Sequence, residues 1–151
     1  YMKKVVRYWN HLQRQMHIAY SKKEDFTLGL PSGRELNYGK IKTSIQNNRR
    51  SYTAMLTKGS KKVPVRLWGG LLAENLSQAL ARDVFADMLV RLEKEGLSTI
   101  FHVHDEFVIE IEEGGGQKSL DKVLNIMKTP PPWIPNIPLD AEGKIVNEYE
   151  K

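Results

Sequence analysis

The sequence predicts an α+β fold in which an antiparallel sheet is backed by packed helices. Apolar residues recur at helical spacing over 3–21 and again over 71–95. Two stretches around polar turns, 26–38 and 98–113, read as hairpins. The chain has 151 residues, 40% hydrophobic and 27% charged, enough for one domain with a real core or for part of a larger one. With no cysteine, a disulfide framework and a thiolate zinc site are excluded, and a reducing compartment fits. No apolar run approaches the ~18 residues needed to span a bilayer, and the basic start lacks a signal-peptide core. A cytoplasmic protein with no membrane partner is expected.

Each element follows from local pattern. In residues 3–21, Val5, Trp9, Leu12, Met16 and Ala19 fall on one stripe, with Lys, Arg and Gln mostly elsewhere. Pro31, Ser32 and Gly33 then separate two extended segments of a hairpin over 26–38. Residues 39–66 are basic and rich in Ser and Thr, with a second turn expected at 58–62. Trp68, Gly69 and Gly70 open the longest helix, about 71–95, with Leu72, Leu76, Leu80, Val84, Met88 and Leu92 every fourth residue and Gly96 as its C-cap. Two strands follow over 98–113, with His104, Asp105 and Glu106 at the hairpin tip. Phe101 and Val103 supply the apolar face of the first strand, and Phe107, Ile109 and Ile111 that of the second. A short helix is expected over 117–128, an extended loop anchored by Trp133 over 130–138, and a last strand over 139–151.

The net charge of +5 conceals a split. Residues 1–70 hold 15 Lys and Arg against 3 Asp and Glu, a net of +12, whereas residues 71–151 hold 8 against 15, a net of −7. Such asymmetry points to a polyanionic partner on one side, against the plainer reading of a solvated basic face. Lys40, Lys42 and Arg66 belong to a run of cations interleaved with Tyr38, Tyr52 and Trp68. That mixture suits a phosphate backbone with its sugars shielded by rings. On the long helix, Asn75, Gln78 and Arg82 share one face at i, i+3 and i+7. Two amides and a guanidinium donate hydrogen bonds with little mutual repulsion, where an ordinary solvated face carries Glu and Lys.

Asp105 and Glu106 are adjacent carboxylates on a tight turn. They repel unless a cation relieves them, and Mg²⁺ is hard and oxygen-seeking. A metal edge there needs at least one more carboxylate from elsewhere, and an exposed acidic turn is the alternative. His102 and His104 at a strand end suggest the metal pair of amidohydrolase barrels, but 151 residues cannot make a barrel of ~250. HD-type phosphohydrolases place their ligands on helices with more histidines, and only His11 and His17 remain.

The order of these motifs resembles the C-terminal part of family A (polymerase I-like) DNA polymerases, in particular the bacteriophage and prophage branch. The stretches that carry it are LPSGRELNY (30–38), WGGLLAENLSQALARDVFADMLVRLEKEG (68–96), FHVHDEFVIEI (101–111) and PWIPNIPLDAEGKIVNEYEK (132–151). The resemblance implies a partial palm domain over 1–151 that takes part in template-directed DNA synthesis. It implies that Asp105, with Glu106 beside it, holds the two catalytic Mg²⁺ ions of motif C, and that His104 touches the primer strand. Asn75, Gln78 and Arg82 would face the template–primer duplex, and Arg34, Lys40, Lys42 and Arg66 would serve its backbone. Minor-groove acceptors are nearly the same on all base pairs, so such donors check pair shape without reading sequence. A dNTP is the implied co-substrate, with nucleotidyl transfer to the primer 3′-hydroxyl.

The family's motif A aspartate and its RxxxKxxxYG fingers helix are not matched by any stretch of this chain. None of Asp25, Asp83, Asp87, Asp105, Asp121 or Asp140 sits in a DYS-type strand. The expectation is therefore a chain inactive alone, completed by an upstream polymerase segment or a second polymerase subunit. A non-catalytic duplex-DNA-binding module and a degenerate prophage remnant stay open beside it.

Overall fold

The computed structural model describes residues 2–46, 49–112 and 114–149, apart from the side chains of Gln46 and Arg49. The described residues form three helices and seven strands, a mixed α+β fold with antiparallel pairing throughout. The strands make three small sheets, not the single sheet expected: β1–β2, β3–β4–β5 and β6–β7. The chain divides into two compact units, Tyr1–Leu80 and Ala81–Lys151.

In the first unit, α1 (Met2–Lys22) presents Leu12 and Met16 as its fully buried residues, the centre of the stripe read from spacing. It ends in a Schellman arrangement: Lys23 N–H donates to the Tyr20 carbonyl and Glu24 N–H to the Ala19 carbonyl, with Lys23 at φ +59°. β1 (Asp25–Gly29) and β2 (Glu35–Lys40) pair across the expected turn, where Gly33 takes φ +86°. The basic stretch then folds as a meander of β3 (Lys42–Gln46), β4 (Arg49–Lys58) and β5 (Lys61–Leu67). Its second turn is Gly59-Ser60, inside the expected 58–62. Pro64, which has no N–H to give a ladder, lies on β5 at the edge of that sheet. Tyr52, Ala54 and Leu67 face inward to join Phe26, Leu28, Leu72 and Met16 in one core. Each of the Phe, Leu and Met side chains, fully buried, contributes about 1.5–3 kcal/mol.

Helix α2 (Gly69–Lys94) opens where expected and ends in a second Schellman arrangement. Gly96 N–H donates to the Glu93 carbonyl and Leu97 N–H to the Leu92 carbonyl, with Gly96 at φ +72°. Steps of four residues advance the apolar stripe by about 40° each, so it winds around the helix instead of marking one face. Leu72 and Ala73 belong to the first core, Leu92 to the second.

In the second unit, β6 (Thr99–Val103) and β7 (Glu106–Ile109) form the expected hairpin, and α3 (Gly116–Lys128) the expected short helix. Leu92, Leu97 and Ile126 make the small core, with Phe107, Ile109 and Val123 against it. Four expectations are corrected. β7 stops at Ile109, so Ile111 is not a strand residue, and Glu113 lies outside the described residues. Phe101 is 39% exposed, and the hairpin face that packs on α2 carries His102 and Phe107, because the two-residue turn pairs Val103 with Glu106 and therefore His102 with Phe107, leaving Phe101 on the other face. Residues 130–138 are not extended: Ile134 N–H donates to the Pro131 carbonyl and Ile137 N–H to the Ile134 carbonyl, two successive turns. Pro131 is the fully buried residue of this loop, and Trp133 is half-buried. Residues 139–149 form no strand, and Glu150 and Lys151 lie outside the described residues. That segment packs against α3 instead, where Gly143 meets Leu120 and Leu124, and Ile145 meets Gly116.

Candidate functional site

The β6–β7 turn is built from two residues, His104 and Asp105, flanked by the pair Val103 and Glu106. His104 takes φ +54°. A tight hairpin needs a positive φ at its first turn position to match the twist of its strands. Side chains alternate along a strand, and this turn interrupts the alternation between Asp105 and Glu106. His104, Asp105 and Glu106 are all exposed. The turn therefore offers an imidazole and two carboxylates to solvent at one tip.

Two aromatic contacts hold the hairpin. Its inner face stacks Phe107 on Phe85 of α2, with ring centroids 4.0 Å apart and planes at 5°, while His102 meets Phe85 edge-on at 5.5 Å. Its outer face carries Phe101, which packs edge-on against Tyr149 at 5.0 Å. The Tyr149 hydroxyl donates to Glu106 Oε2 at 3.4 Å. Partial burial, and then the neighbouring Glu106 carboxylate, push the Tyr149 hydroxyl above its ordinary value. Asp105 and Glu106 line an open groove of about 680 Å³ together with Val108, Leu120, Leu124, Val146 and Tyr149. Sequence reading missed Phe85 and Tyr149. Phe85 lies off the every-fourth-residue stripe, and Tyr149 sits in the segment expected to be a strand.

Among the described residues, no group of three or more His, Asp or Glu is placed to share a metal ion. The donors at the turn are hard carboxylate oxygens, the type that Mg²⁺ selects, but two carboxylates fall short of its octahedral shell. The residues present fit one edge of such a site.

The polar stripe of α2 is split by its contacts. Asn75 is half-buried and its amide Nδ2 donates to the Tyr38 hydroxyl at 3.0 Å, so one of its two amide hydrogens is already used. Burial pushes the Tyr38 hydroxyl above its ordinary value, and the Asn75 bond pulls it part of the way back. Gln78 and Arg82 are exposed on the same helix face. Arg34 is half-buried, and its guanidinium donates to the Ala79 carbonyl at 3.0 Å, fastening the β1–β2 hairpin to the helix.

Lys40, Lys42 and Arg66 are exposed. The rings between them are not disposed as expected: Tyr38 and Tyr52 are 5% and 8% exposed, core residues that cannot shield a sugar. Tyr52 shares the parity of Ala54 on β4, which turns it inward, and its hydroxyl meets His17 Nδ1 at 2.6 Å. Trp68, 50% exposed, packs edge-on against Trp9. His11 lines a separate cavity of about 440 Å³ between α1 and β1, together with Glu24 and Asp25.

No helix among the described residues is long and apolar enough to cross a membrane. No family model matches the chain, and no solved structure matches it. The chain is 33% identical over 168 aligned residues to a DNA polymerase of Bacillus phage SP02, an alignment that takes in 99% of this chain and 26% of that protein. It thus spans about a quarter of the length of the curated relative it matches.

Proposed function

We propose that this chain carries the palm part of a family A DNA polymerase active site, working on template–primer DNA and dNTP in the cytoplasm of a bacterium or a phage-infected cell. The observation that carries the reading is the exposed Asp105-Glu106 pair on the β6–β7 turn, in a chain similar along nearly its whole length to a phage DNA polymerase. Asp105 and Glu106 would supply carboxylate oxygens to Mg²⁺. When bound, the two ions polarise the primer 3′-hydroxyl and neutralise charge on the triphosphate. A further carboxylate must come from polymerase sequence outside these 151 residues, in the same chain or in a second subunit.

The protein's own share is positioning. The stack of Phe107 on Phe85 and the edge contact of Phe101 with Tyr149 fix the hairpin from both faces, which limits how far its tip can wander. His104, exposed beside Asp105, would meet the primer end. Gln78 and Arg82, with the remaining amide hydrogen of Asn75, offer donors to minor-groove acceptors irrespective of sequence. Arg34 contributes through the hairpin it fastens, and Lys40, Lys42 and Arg66 through phosphate contacts.

The test supplies the polymerase sequence that carries motifs A and B, in cis or in trans, and measures primer extension. Extension should require Mg²⁺, and Asp105→Ala should lower it by about a thousandfold or more, the scale of several kcal/mol of lost charge stabilisation. Extension by the Ala variant at the unsubstituted rate would sink the assignment. A duplex-binding module without catalysis is the second reading, supported by the net of +12 over residues 1–70, and it expects DNA binding with no extension under any supplement.

A further inference from the structure

Among the described residues, the large apolar side chains left exposed gather mainly on two surfaces. Met2, Val6, Tyr8 and Ile18 lie on α1, whereas Phe101, Ile145, Val146 and Tyr149 lie on the β6–β7 hairpin and the segment after α3. The two surfaces carry opposite charge. From this we infer that α1 of one copy of the chain docks in the groove lined by β7, α3 and the segment over 139–149 of a second copy. The inference goes beyond the polymerase reading and does not depend on it.

Residues 1–23 contain six Lys and Arg and no Asp or Glu. Helix α1, 21 residues and about 30 Å long, sorts them by its turn of about 100° per residue. Lys3, Arg7 and Arg14 fall within about 40° of one another on the side opposite the buried Leu12, and Val6 and Ile18 flank them. All five are exposed. The outer side of α1 is therefore a cationic ridge with apolar flanks. The groove is its complement. Val108, Leu120, Leu124 and Val146 give it apolar walls, and its charged members are Asp105, Glu106, Asp140, Glu142 and Lys144. Lys128 already answers Asp140 at 2.9 Å, which leaves three carboxylates against one lysine. An amphipathic helix seats in such a groove through its apolar side chains, and complementary charge decides which helix is accepted. Of the described helices, α1 alone has no Asp or Glu. Exchanged reciprocally, the contact closes a two-fold dimer; passed one way, it builds an open chain. In both arrangements the occupied groove covers Asp105 and Glu106.

Sedimentation equilibrium of the full chain between about 1 and 100 µM, with chelator and without DNA, reads this association directly. The unsubstituted chain should associate at low salt, and its Kd should rise about tenfold or more between about 50 and 500 mM salt. Arg7→Glu/Arg14→Glu and, separately, Glu106→Lys/Glu142→Lys should each weaken association by about tenfold or more. Mixed in equal amounts, these two variants present an acidic helix to a basic groove and a basic helix to an acidic groove, so association should return. Lys58→Glu/Lys61→Glu, the same charge change at exposed positions beside the β4–β5 turn, should leave the Kd within about threefold. If a charge-reversed chain does not fold, Val6→Asp and Val146→Asp, both at exposed positions, should each still weaken association. A chain that stays monomeric throughout would overturn the proposal. So would association that salt does not weaken, an equal loss in the Lys58/Lys61 variant, or a mixture that stays monomeric.

Discussion

Asn75→Ala removes the partner of a buried tyrosine, and its cost can be worked from the structure. Tyr38 is 5% exposed, stacks on Phe26 with centroids 5.4 Å apart, and receives one hydrogen bond from Asn75 at 3.0 Å. Deleting the amide loses that bond and leaves the hydroxyl without it in a place water hardly reaches, a cost of about 1–3 kcal/mol. For a cooperative unit of 60–100 residues, each kcal/mol lowers Tm by roughly 4–8 °C. Tyr38→Phe removes the hydroxyl together with its need for a partner, so it should cost less, about 1 kcal/mol. A double-mutant cycle on the pair should give a coupling of about 1 kcal/mol by thermal or denaturant unfolding. Tyrosinate absorbance supplies an independent readout. The Asn75 N–H stabilises the ionised oxygen, so Asn75→Ala should raise the Tyr38 pKa further above its ordinary value of 10.0. A group whose folded pKa is raised keeps its stability below the unfolded value and loses it above. The extra alkaline loss thus begins near pH 10 and continues up to the folded pKa. Additive single substitutions together with an unmoved Tyr38 titration would refute the assignment of this bond.

Two further outcomes follow from packing and from charge. A Cβ at Gly69 would overlap the backbone carbonyl of Trp9, which cannot rotate away, so Gly69→Ala should cost about 2–3 kcal/mol or more by thermal unfolding. Gly29→Ala, where a Cβ meets nothing within 4 Å, is the control and should cost little. The hydrogen bond and charge of Lys122 hold the Glu95 carboxyl below its ordinary value of 4.5. Its stabilising contribution is therefore present above that value and is lost as pH falls through the folded pKa. An NMR titration of Glu95 should return to the ordinary midpoint in Lys122→Ala, and an unchanged midpoint would refute the pairing.

What was legible in the sequence was local. Leu12 and Met16 repeat at helical spacing and are buried as that spacing requires. Gly33, Gly59 and Gly96 mark backbone of positive φ, and each stands at the turn or helix end expected of it. The β3–β5 meander was read by its composition, as a basic Ser/Thr-rich stretch, when parity was the better guide. Tyr52 alternates in step with Ala54, which already assigns it to the core. Residues 139–149 show where local pattern runs out. A strand needs a neighbouring edge, and no residue in the segment records whether one is available. Here the segment lies on α3, fitted through Gly116 and Gly143. Within the site, Asp105 and Glu106 were legible as neighbours, whereas Phe85 and Tyr149 became visible only with the chain folded.

The chain contains its own control for His104. β4–β5 and β6–β7 are both hairpins with two-residue turns, and in both the first turn residue has positive φ: Gly59 at +62° and His104 at +54°. Glycine accepts that backbone freely, whereas a residue with a Cβ loses about 1–2 kcal/mol relative to its relaxed conformation. Where only the hairpin has to form, the chain uses glycine. At the carboxylate turn it keeps an imidazole and tolerates the strain, and no hydrogen bond from the described structure to the His104 ring offsets the cost. The Phe85 stack and the Tyr149 contact, both on the strands behind it, are the interactions that hold the turn in place. An observed backbone outlier beside two exposed carboxylates argues from structure toward chemistry at this tip. That argument stands without reference to the similarity with the phage polymerase, which speaks for the chain as a whole.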